Sequence, residues 1–314
     1  MDYSVVIPVF NECESLPELL PELCSVLSDV GGDFEILVVD DGSTDFTQDT
    51  LKRLGASIPQ LRPLVLRRRF GKGAAYAVGF ANAKGATLLT LDGDLQDDPK
   101  EIPRFIAKLA EGYDLVVGHK VNRAEQEPMR RKLSVVFNML VSLVFGGRYS
   151  DCDSGFRAMR RVVTAELQTY AGRYRFIPVL AAQAGYHVCE IPITQRRRRF
   201  GESRYGMKRL WTGLLDLFAV RFLTGFDQSP IHFFGSIGGV LALCGIFLEA
   251  YAVFCKLGGD AFRVHITAIV LGGFLALGGL QFVSLGLIGE MFSQRFPKPA
   301  NHLKDAAEER VNVG

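Results

Sequence analysis

The sequence predicts an α/β domain with a mostly parallel sheet, followed by a two-helix membrane anchor. Over residues 3–120, short runs rich in Val, Ile and Leu alternate with segments of helical periodicity, a pattern typical of parallel sheets covered on both faces. Two acidic clusters stand at the carboxyl ends of predicted strands, where such sheets bind ligands. Two long apolar runs occupy the last third of the 314-residue chain.

Each predicted strand is an aliphatic run, and the segment after it carries apolar residues at helical spacing. The first run, "YSVVIPVF", has no basic flank before it, so it is interpreted as a strand and not as a secretory signal. The predicted strands are residues 3–10, 34–43, 61–68, 85–94 and 113–120, and the predicted helices are residues 11–30, a segment from near Thr44, residues 72–83 and a segment after Pro99.

Composition and motifs limit the partners and the chemistry. A formal net charge of +2 implies no polyanion partner such as a nucleic acid. The six cysteines lack CxxC or Cys/His metal spacing, so they are expected to be free thiols in a reducing compartment. No GxGxxG follows the first strand and no GxxxxGK(S/T) occurs, which argues against a dinucleotide oxidoreductase and a P-loop NTPase.

The stretch "LDGDLQDDP" carries four carboxylates at the end of a predicted strand. Like charges this close resist ionisation unless a cation lies among them. Asp92 and Asp94 therefore suit a hard divalent cation, Mg²⁺ or Mn²⁺. Gln96 can add an amide oxygen, and substrate phosphates can complete the coordination shell of the cation. For Asp97 and Asp98, a solvated turn that caps the next helix is an equally good interpretation.

Residues 231–255 and 266–289 are each apolar enough and long enough to cross a hydrocarbon core of about 30 Å. A buried helix hairpin of a soluble protein is the alternative. Small residues at four-residue spacing favour close packing of two membrane helices. These residues are Gly235 and Gly239 in the first run, and Ala268, Gly272 and Ala276 in the second.

The distribution of basic residues predicts the topology. The loop between the two runs carries only Lys256 and Arg263, whereas basic residues are frequent before the first run and after the second. The positive-inside rule then places a large N-terminal domain (residues 1–229) and a tail (residues 292–314) in the cytoplasm, with both membrane helices in residues 230–291. The predicted localisation is the inner or plasma membrane.

A further apolar segment, residues 130–146, has a basic start and is too short to span a bilayer. It is expected to be an interfacial helix that rests on the headgroups, with a buried core helix as the alternative. Residues 214–226 are a second candidate for the same role.

Several motifs in order resemble the family 2 glycosyltransferases with the GT-A fold, a Rossmann-like fold. They are "VVIPVFNE", "VVDDGSTD", "FGKGAAYAVGFANAKG" and "LDGDLQDDP". Three later motifs, "DCDSGFRAMRR", "FIPVLAAQAGYHVCEIPI" and "RRFGESRYGMKRL", are similar to the polyprenyl-phosphate branch, which includes dolichol-phosphate mannose synthases and bacterial undecaprenyl-phosphate enzymes. The resemblance implies inverting transfer of a sugar from a UDP- or GDP-sugar to the phosphate of an undecaprenyl or dolichyl phosphate.

The resemblance also implies roles for individual residues. The nucleotide pocket would contain Pro8, Phe10, Glu12, Asp40, Asp41, Lys72 and Asp92. The metal would be held by Asp92, Asp94 and Gln96, and the acceptor phosphate would lie near Lys120, Arg123, Arg130 or Arg131, and Ser134. The catalytic set would be Asp92, Asp94, Arg198 and Arg204. The chain departs from the family pattern at Lys72, at Gly93, where alanine is usual, and at Arg204, where lysine is usual.

The basic acceptor loop, residues 195–209, has two interpretations. As a solvated flank at an anionic membrane, its arginines would be interchangeable. As a family loop, Arg198 and Arg204 are singled out, whereas Arg196 and Arg197 are expected to tolerate lysine.

Two rival functions remain open from the sequence. A processive polysaccharide synthase would carry a QxxRW motif and more spans, whereas "QRRRR" lacks the tryptophan. A non-enzymatic transporter subunit would need intramembrane charges in a substrate path, and Glu249 is the one candidate in the predicted spans. The oligomeric state is left open.

Overall fold

The structure is a computed structural model that describes residues 1–121, 128–147, 149–152, 154–166, 171–197, 199, 215–222, 229–259 and 261–295. The chain divides into two compact units, Met1–Arg221 and Phe222–Gly314. Candidate residues Arg123, Arg198 and Arg204 lie outside the described residues, as does most of the acceptor loop. Each unit is described below by itself.

The first unit contains a seven-stranded sheet in the order β3-β2-β1-β4-β6-β5-β7. All its strands are parallel to β1 except β6, which runs antiparallel to both of its neighbours. The predicted mostly parallel sheet is therefore confirmed. The strands are β1 (Tyr3–Val9), β2 (Phe34–Asp40), β3 (Leu61–Val65), β4 (Thr87–Thr90), β5 (Leu115–Lys120), β6 (Arg157–Arg160) and β7 (Val188–Ile193).

Helices cover both faces of the sheet. Five strands are as the aliphatic runs predict, whereas β6 and β7 were not predicted. The helices of the unit are α1 (Leu16–Val30), α2 (Thr47–Gly55), α3 (Lys72–Asn82), α4 (Ile102–Ala110), α5 (Pro128–Phe145), α6 (Arg161–Glu166), α7 (Ile177–Gln183) and α8 (residues 215–222), with 3₁₀ turns at Pro99–Glu101 and Ala171–Phe176.

Successive strand residues enter two separate cores, because neighbouring side chains on a strand point to opposite faces. On one face, Val5 and Ile7 of β1 pack in a core that includes Leu16 of α1 and Phe105 of α4. On the other face, the core of α3, α6 and α7 includes Val6 of β1. Burial on both faces explains why these strands appear as unbroken aliphatic runs in the sequence.

The direction of the strands gathers seven loops at one edge of the sheet. The carboxyl ends of β1, β2, β3, β4, β5 and β7 lie at this edge, and the reversed β6 brings its amino end, Arg157, to the same place. All the candidate residues in the first 120 positions therefore lie on one side of the domain. We call this side the ligand edge.

Helices α5 and α8 share a third apolar cluster, which includes Val141, Phe145, Leu217 and Val220. Each helix also turns apolar side chains outward. The exposed side chains are Val135, Val136, Met139 and Leu143 of α5, and Leu215 and Phe218 of α8. The helix predicted from residues 130–146 is thus part buried and part exposed, between the two alternatives considered from the sequence.

The second unit contains two long helices, α9 (Pro230–Leu257) and α10 (Ile266–Arg295). Both are long and apolar enough to cross a membrane. They approach closely where Gly245 of α9 meets Gly272 and Ala276 of α10, since an added Cβ on Gly245 would lie 2.5 Å from backbone atoms of both. Small residues do allow the contact, and Gly272 and Ala276 are two of those predicted for it.

The contact surface of α9 differs from the expected one. Gly238 and Gly245 face α10, whereas an added Cβ on Gly239 would meet nothing within 4 Å. Glu249 continues the contact surface one turn beyond Gly245, and its Cγ would lie 2.9 Å from a Cβ added to Gly272. Glu249 therefore faces the neighbouring helix.

Candidate active site

The loop that follows β1 is tied to the loop that follows β2. The backbone amide of Asn11 donates to Oγ of Ser43 at 2.8 Å, and the amide of Glu12 donates to Oγ1 of Thr47 at 2.9 Å. Asn11 adopts φ +56°, which turns the chain sharply at this point. These bonds bring Phe10 and Glu12 to the same corner of the ligand edge as Asp40.

Asp40 is the last residue of β2 and Asp41 follows it, and their carboxylates have different partners. Oδ1 of Asp40 accepts the amide of Ser43 at 2.9 Å, whereas its buried Oδ2 has no hydrogen-bond donor among the described residues. Asp41 accepts the amides of Phe70 and Gly71 at 2.7 and 2.9 Å. Asp41 therefore holds the loop before α3, and Asp40 keeps a buried acceptor for another group.

An arginine that the sequence did not suggest completes this corner. The guanidinium carbon of Arg69 lies 4.2 Å from the ring centroid of Phe10, a cation–π contact. Arg69 belongs to the loop that Asp41 anchors. The same loop leads into α3, so it places both the planar guanidinium of Arg69 and Lys72, the first residue of α3, at the ligand edge. The run "RRR" before "FGKG" is the signal that could have indicated a site residue here.

Asp92 follows β4 and is surrounded by groups from three elements. The Lys72 ammonium lies 2.5 Å from its Oδ1, and its backbone amide donates to Oδ2 of Asp97 at 3.1 Å. Gly155 lies directly against the carboxylate, since an added Cβ would be 2.3 Å from Oδ1. Burial alone would raise the pKa of Asp92, but the ammonium groups of Lys72 and Lys120 lower it to about 2.

Asp97 is buried, so for this residue the solvated turn, one of the two interpretations left open by the sequence, is wrong. It lies 3.6 Å from the Lys120 ammonium, and both side chains of this pair are almost fully buried. Burial raises the pKa of Asp97, and the Lys120 charge offsets part of that rise. Asp98 is a cap, as expected, because its Oδ1 accepts the amide of Lys100 at 3.0 Å.

Asp94 and Gln96 belong to a loop with an unusual backbone. Oδ1 of Asp94 accepts the amide of Gln96 at 3.2 Å, which closes a tight turn. Between them, buried Leu95 has φ +62°, a conformation that costs energy for a side chain of this size. Strained backbone that the surroundings hold in place is frequent at functional sites.

The donor set fits a hard divalent cation. Asp92 is ionised, and Asp94 and Gln96 add oxygen donors in the same loop. Within the described residues, no group of three or more His, Cys, Asp or Glu side chains could enclose a metal. Phosphate oxygens or water would therefore have to complete the six or more ligands that such a cation takes.

Arg157 is a further residue that sequence reasoning missed. Its side chain is 1% exposed, Nη2 donates to the carbonyl of Cys152 at 3.1 Å, and Nε and Nη1 have no hydrogen-bond partner among the described residues. Its charge also lowers the pKa of Asp92. A buried, incompletely paired arginine is costly, which points to a role beyond packing.

The remaining candidates are placed less completely. Pro8 lies in β1 beside Val39 of β2, one residue before the ligand edge. Arg130, Arg131 and Ser134 lie in the first half of α5.

Residues 4–168 match the family model described as "Glycosyl transferase family 2". The undecaprenyl-phosphate 4-deoxy-4-formamido-L-arabinose transferases of Salmonella paratyphi B and Salmonella newport are 32% identical over 289 residues, which cover 91% of this chain and 86% of each relative. The chain belongs to glycosyltransferase family 2. The predicted family and enzyme class are therefore confirmed.

Solved structures support the fold of this glycosyltransferase. Glucosyl-3-phosphoglycerate synthase from Mycobacterium tuberculosis, in complex with Mn²⁺, UDP and phosphoglyceric acid, superposes with a TM-score of 0.55 at 19% identity. The match covers 71% of this chain and 78% of the synthase. At this identity the likeness shows the GT-A fold alone, and it confirms the predicted fold class.

Proposed function

We propose that this glycosyltransferase transfers a sugar from a nucleotide sugar to the phosphate of a membrane polyprenyl phosphate. The observation that carries the proposal is the oxygen-donor cluster at the ligand edge, in a chain that continues into two helices of membrane-spanning length. The relatives named for undecaprenyl phosphate cover both parts of the chain, which supports a polyprenyl phosphate as the acceptor.

The corner formed by β1 and β2 is the proposed nucleotide pocket. Phe10, stacked with Arg69, offers a flat surface for a base, and Oδ2 of Asp40 offers a buried acceptor for a base N–H. Uracil and guanine both carry such an N–H, so UDP- and GDP-sugars both fit this chemistry. Pro8, Glu12, Asp41 and Lys72 complete the proposed pocket.

Asp92, Asp94 and Gln96 are the proposed ligands of Mg²⁺ or Mn²⁺. When bound, the metal supplies a Lewis acid that stabilises the charge on the departing nucleoside diphosphate. The presence of Mn²⁺ with UDP in a glycosyltransferase of the same fold is consistent with this role. Lys72 is close enough to Asp92 to contact the same diphosphate.

The acceptor needs little activation. A phosphate monoester is ionised at pH 7, with a second pKa of about 6, so a general base is not required and orientation dominates. The proposed acceptor residues are Lys120, Arg123, Arg130 or Arg131, and Ser134, and Arg198 and Arg204 are proposed to hold the acceptor phosphate from the basic loop. Attack from the face opposite the leaving group inverts the anomeric centre.

The exposed apolar side chains of α5 and α8 are the proposed contact with the bilayer surface. A lipid surface is the occupant that the chain indicates, because α8 precedes helices that are long enough to span a membrane. We further propose that α9 and α10 anchor the enzyme and that the catalytic unit and both termini are cytoplasmic, as the basic flanks indicate.

A transfer assay with a panel of acceptors tests the proposal. Full-length protein in detergent is incubated with Mn²⁺, a panel of UDP- and GDP-sugars, and either undecaprenyl phosphate, undecaprenol or a soluble oligosaccharide. Lipid-phosphate sugar formed only with the phosphorylated lipid is the expected product. Transfer to the oligosaccharide or to undecaprenol, with none to the phosphate, would overturn the acceptor assignment and favour a different family 2 activity.

A further inference from the structure

Arg196, just after β7, makes a clamp of four hydrogen bonds. Its guanidinium donates to both carboxylate oxygens of Glu22 in α1 at 2.7 and 2.6 Å. Nη2 also donates to Oδ1 of Asp98 at 2.6 Å, and the backbone amide donates to the carbonyl of Gln96 at 2.9 Å. One residue therefore joins the end of the sheet, a core helix and the loop of the candidate metal ligands.

These contacts overturn the premise that Arg196 is a solvated arginine exchangeable for lysine. Arg196 and Glu22 are each less than one-third exposed. A guanidinium can bind two oxygens of one carboxylate and an oxygen of a second at the same time, whereas an ammonium is a point charge without that fork. The hydrogen bonds from Arg196 also lower the pKa of the Glu22 carboxyl, so Glu22 stays ionised and the pair stays charged.

The loop that Arg196 contacts, residues 94–98, needs contacts from other elements to keep its backbone conformation. Leu95 has φ +62°, a backbone conformation that the segment alone would avoid. On the inner side of the loop, Asp97 accepts the amide of Asp92 and is itself paired with Lys120. On the outer side, Arg196 bonds to the loop twice, from its backbone amide to Gln96 and from its guanidinium to Asp98.

We infer that Arg196 is a positioning residue that holds residues 96–98 so that Asp94 and Gln96 present their oxygens to the metal. The inference rests on the proposed metal role of these two residues. Arg196 does not touch the metal or the substrates in this account, because it acts through the loop. Groups that orient the ligands of a metal typically change its affinity about 10–100-fold when they are removed.

The chain supplies a matched control, a second arginine that pairs with the same helix, α1. Arg199 donates to Glu18 of α1 at 2.9 Å, but this pair is well exposed and reaches no loop residue in the described structure. Arg199→Ala removes the same charge from the same basic segment as Arg196→Ala. A difference in Mn²⁺ affinity between the two variants is therefore due to the loss of the clamp and not to the change in net charge of the segment.

The experiment measures Mn²⁺ binding to full-length protein in detergent by electron paramagnetic resonance of the free ion, alone and with UDP or GDP. We expect Arg196→Ala to weaken Mn²⁺ binding about tenfold and Arg199→Ala to leave it unchanged. Arg196→Ala should also raise the Mn²⁺ concentration that gives half-maximal turnover, with much of kcat restored at saturating Mn²⁺. A purely structural role would lower the folded fraction without this shift.

Wild-type Mn²⁺ affinity in folded Arg196→Ala, or an equal loss in Arg199→Ala, overturns the inference. If Arg196→Ala does not fold, Arg196→Lys and Asp98→Asn take its place, and wild-type affinity in both has the same meaning. A wild-type protein that binds no Mn²⁺ overturns the metal site as well. A wild-type protein that binds Mn²⁺ but glycosylates no polyprenyl phosphate overturns the proposed acceptor and leaves the role of Arg196 intact.

Discussion

The ammonium of Lys72, the first residue of α3, lies 2.5 Å from a carboxylate oxygen of Asp92, the first candidate metal ligand after β4. The same ammonium lies 5.6 and 5.8 Å from the ring centroids of Tyr76 and Tyr174. A cation of the chain itself therefore offsets the charge of Asp92, and a metal that binds Asp92 has to share it with Lys72.

Replacing Lys72 with methionine removes the charge and keeps an unbranched side chain. We expect Lys72→Met to bind Mn²⁺ alone several-fold more tightly, because the ammonium no longer competes for Asp92. The KM for the nucleotide sugar should rise, because a cation near the diphosphate is lost. Mn²⁺ titration and steady-state kinetics measure the two effects. Lys108→Met, on the surface of α4, is the control, and unchanged Mn²⁺ affinity in Lys72→Met would contradict the competition.

Gly155 leaves no room for a side chain beside Asp92. A Cβ would lie 2.3 Å from Oδ1, and the backbone there is fixed by Thr90, whose Oγ1 donates to the carbonyl of Gly155 at 2.6 Å. We expect Gly155→Ala to displace the carboxylate and to lower turnover about 100-fold, since a shift of about 1 Å in a reacting group has effects of this size. Gly55→Ala, where an added Cβ meets nothing within 4 Å, should be neutral. Near-normal turnover in Gly155→Ala would show that Asp92 can move without loss.

Asp94→Asn tests the metal role directly. The amide keeps the shape and the acceptor of the turn to Gln96 but loses the anionic ligand. We expect turnover to fall by orders of magnitude while the melting temperature stays near that of the wild type. Excess chelator should abolish wild-type turnover, and added Mn²⁺ should restore it. Full activity in chelator would remove the metal from the mechanism.

The Arg196–Glu22 pair predicts a pH dependence of stability. The hydrogen bonds from Arg196 lower the pKa of Glu22 in the folded state, so the pair stabilises the fold above the unfolded pKa of about 4.3. This contribution is lost as the pH falls through the lower, folded pKa. A loss of about 1 kcal/mol corresponds to a melting temperature about 2–4 °C lower, which is the effect we expect for Glu22→Gln at pH 7. The difference from the wild type should narrow as the pH falls below about 4.3 and through the lower, folded pKa. A constant gap across that range would assign the effect to packing.

The sequence was sufficient to predict those strands and helices whose own residue pattern determines them. The strands buried on both faces appear as aliphatic runs, and the membrane-length helices have a composition that few soluble segments share. Strand β6 was missed because its four residues, "RAMR", include two arginines, one of which is buried only through tertiary contacts. Strand β7 was missed because Glu190 and Pro192 interrupt its aliphatic run.

The candidate site was predictable where one motif contains the relevant residues, as in Asp92–Gln96. It was not predictable where distant segments meet. The charge of Arg157 lowers the pKa of Asp92 because β6 is inserted antiparallel beside β4, and nothing in "GFRAMRR" indicates that insertion. Arg196 stands in a run of four arginines, and its partners Glu22 and Asp98 are 174 and 98 positions away in the sequence.

The last prediction concerns the exposed apolar side chains of α5 and α8, which together are the proposed membrane-contact face. Leu143 and Phe218 are 77% and 75% exposed, although both helices are anchored by buried apolar neighbours. Leu143→Glu with Phe218→Glu should reduce transfer to undecaprenyl phosphate in proteoliposomes about tenfold or more, since immersing each side chain contributes about 1.5–3 kcal/mol. Transfer to a short prenyl phosphate in detergent, and Mn²⁺ binding, should be unchanged. Val162→Glu, an exposed position on α6 beyond the opposite edge of the sheet, is the control. If the double variant and this control transferred the sugar equally well in proteoliposomes, the face would not be the membrane contact. Two charges inserted into a surface that contacts lipid would reduce transfer to a lipid acceptor.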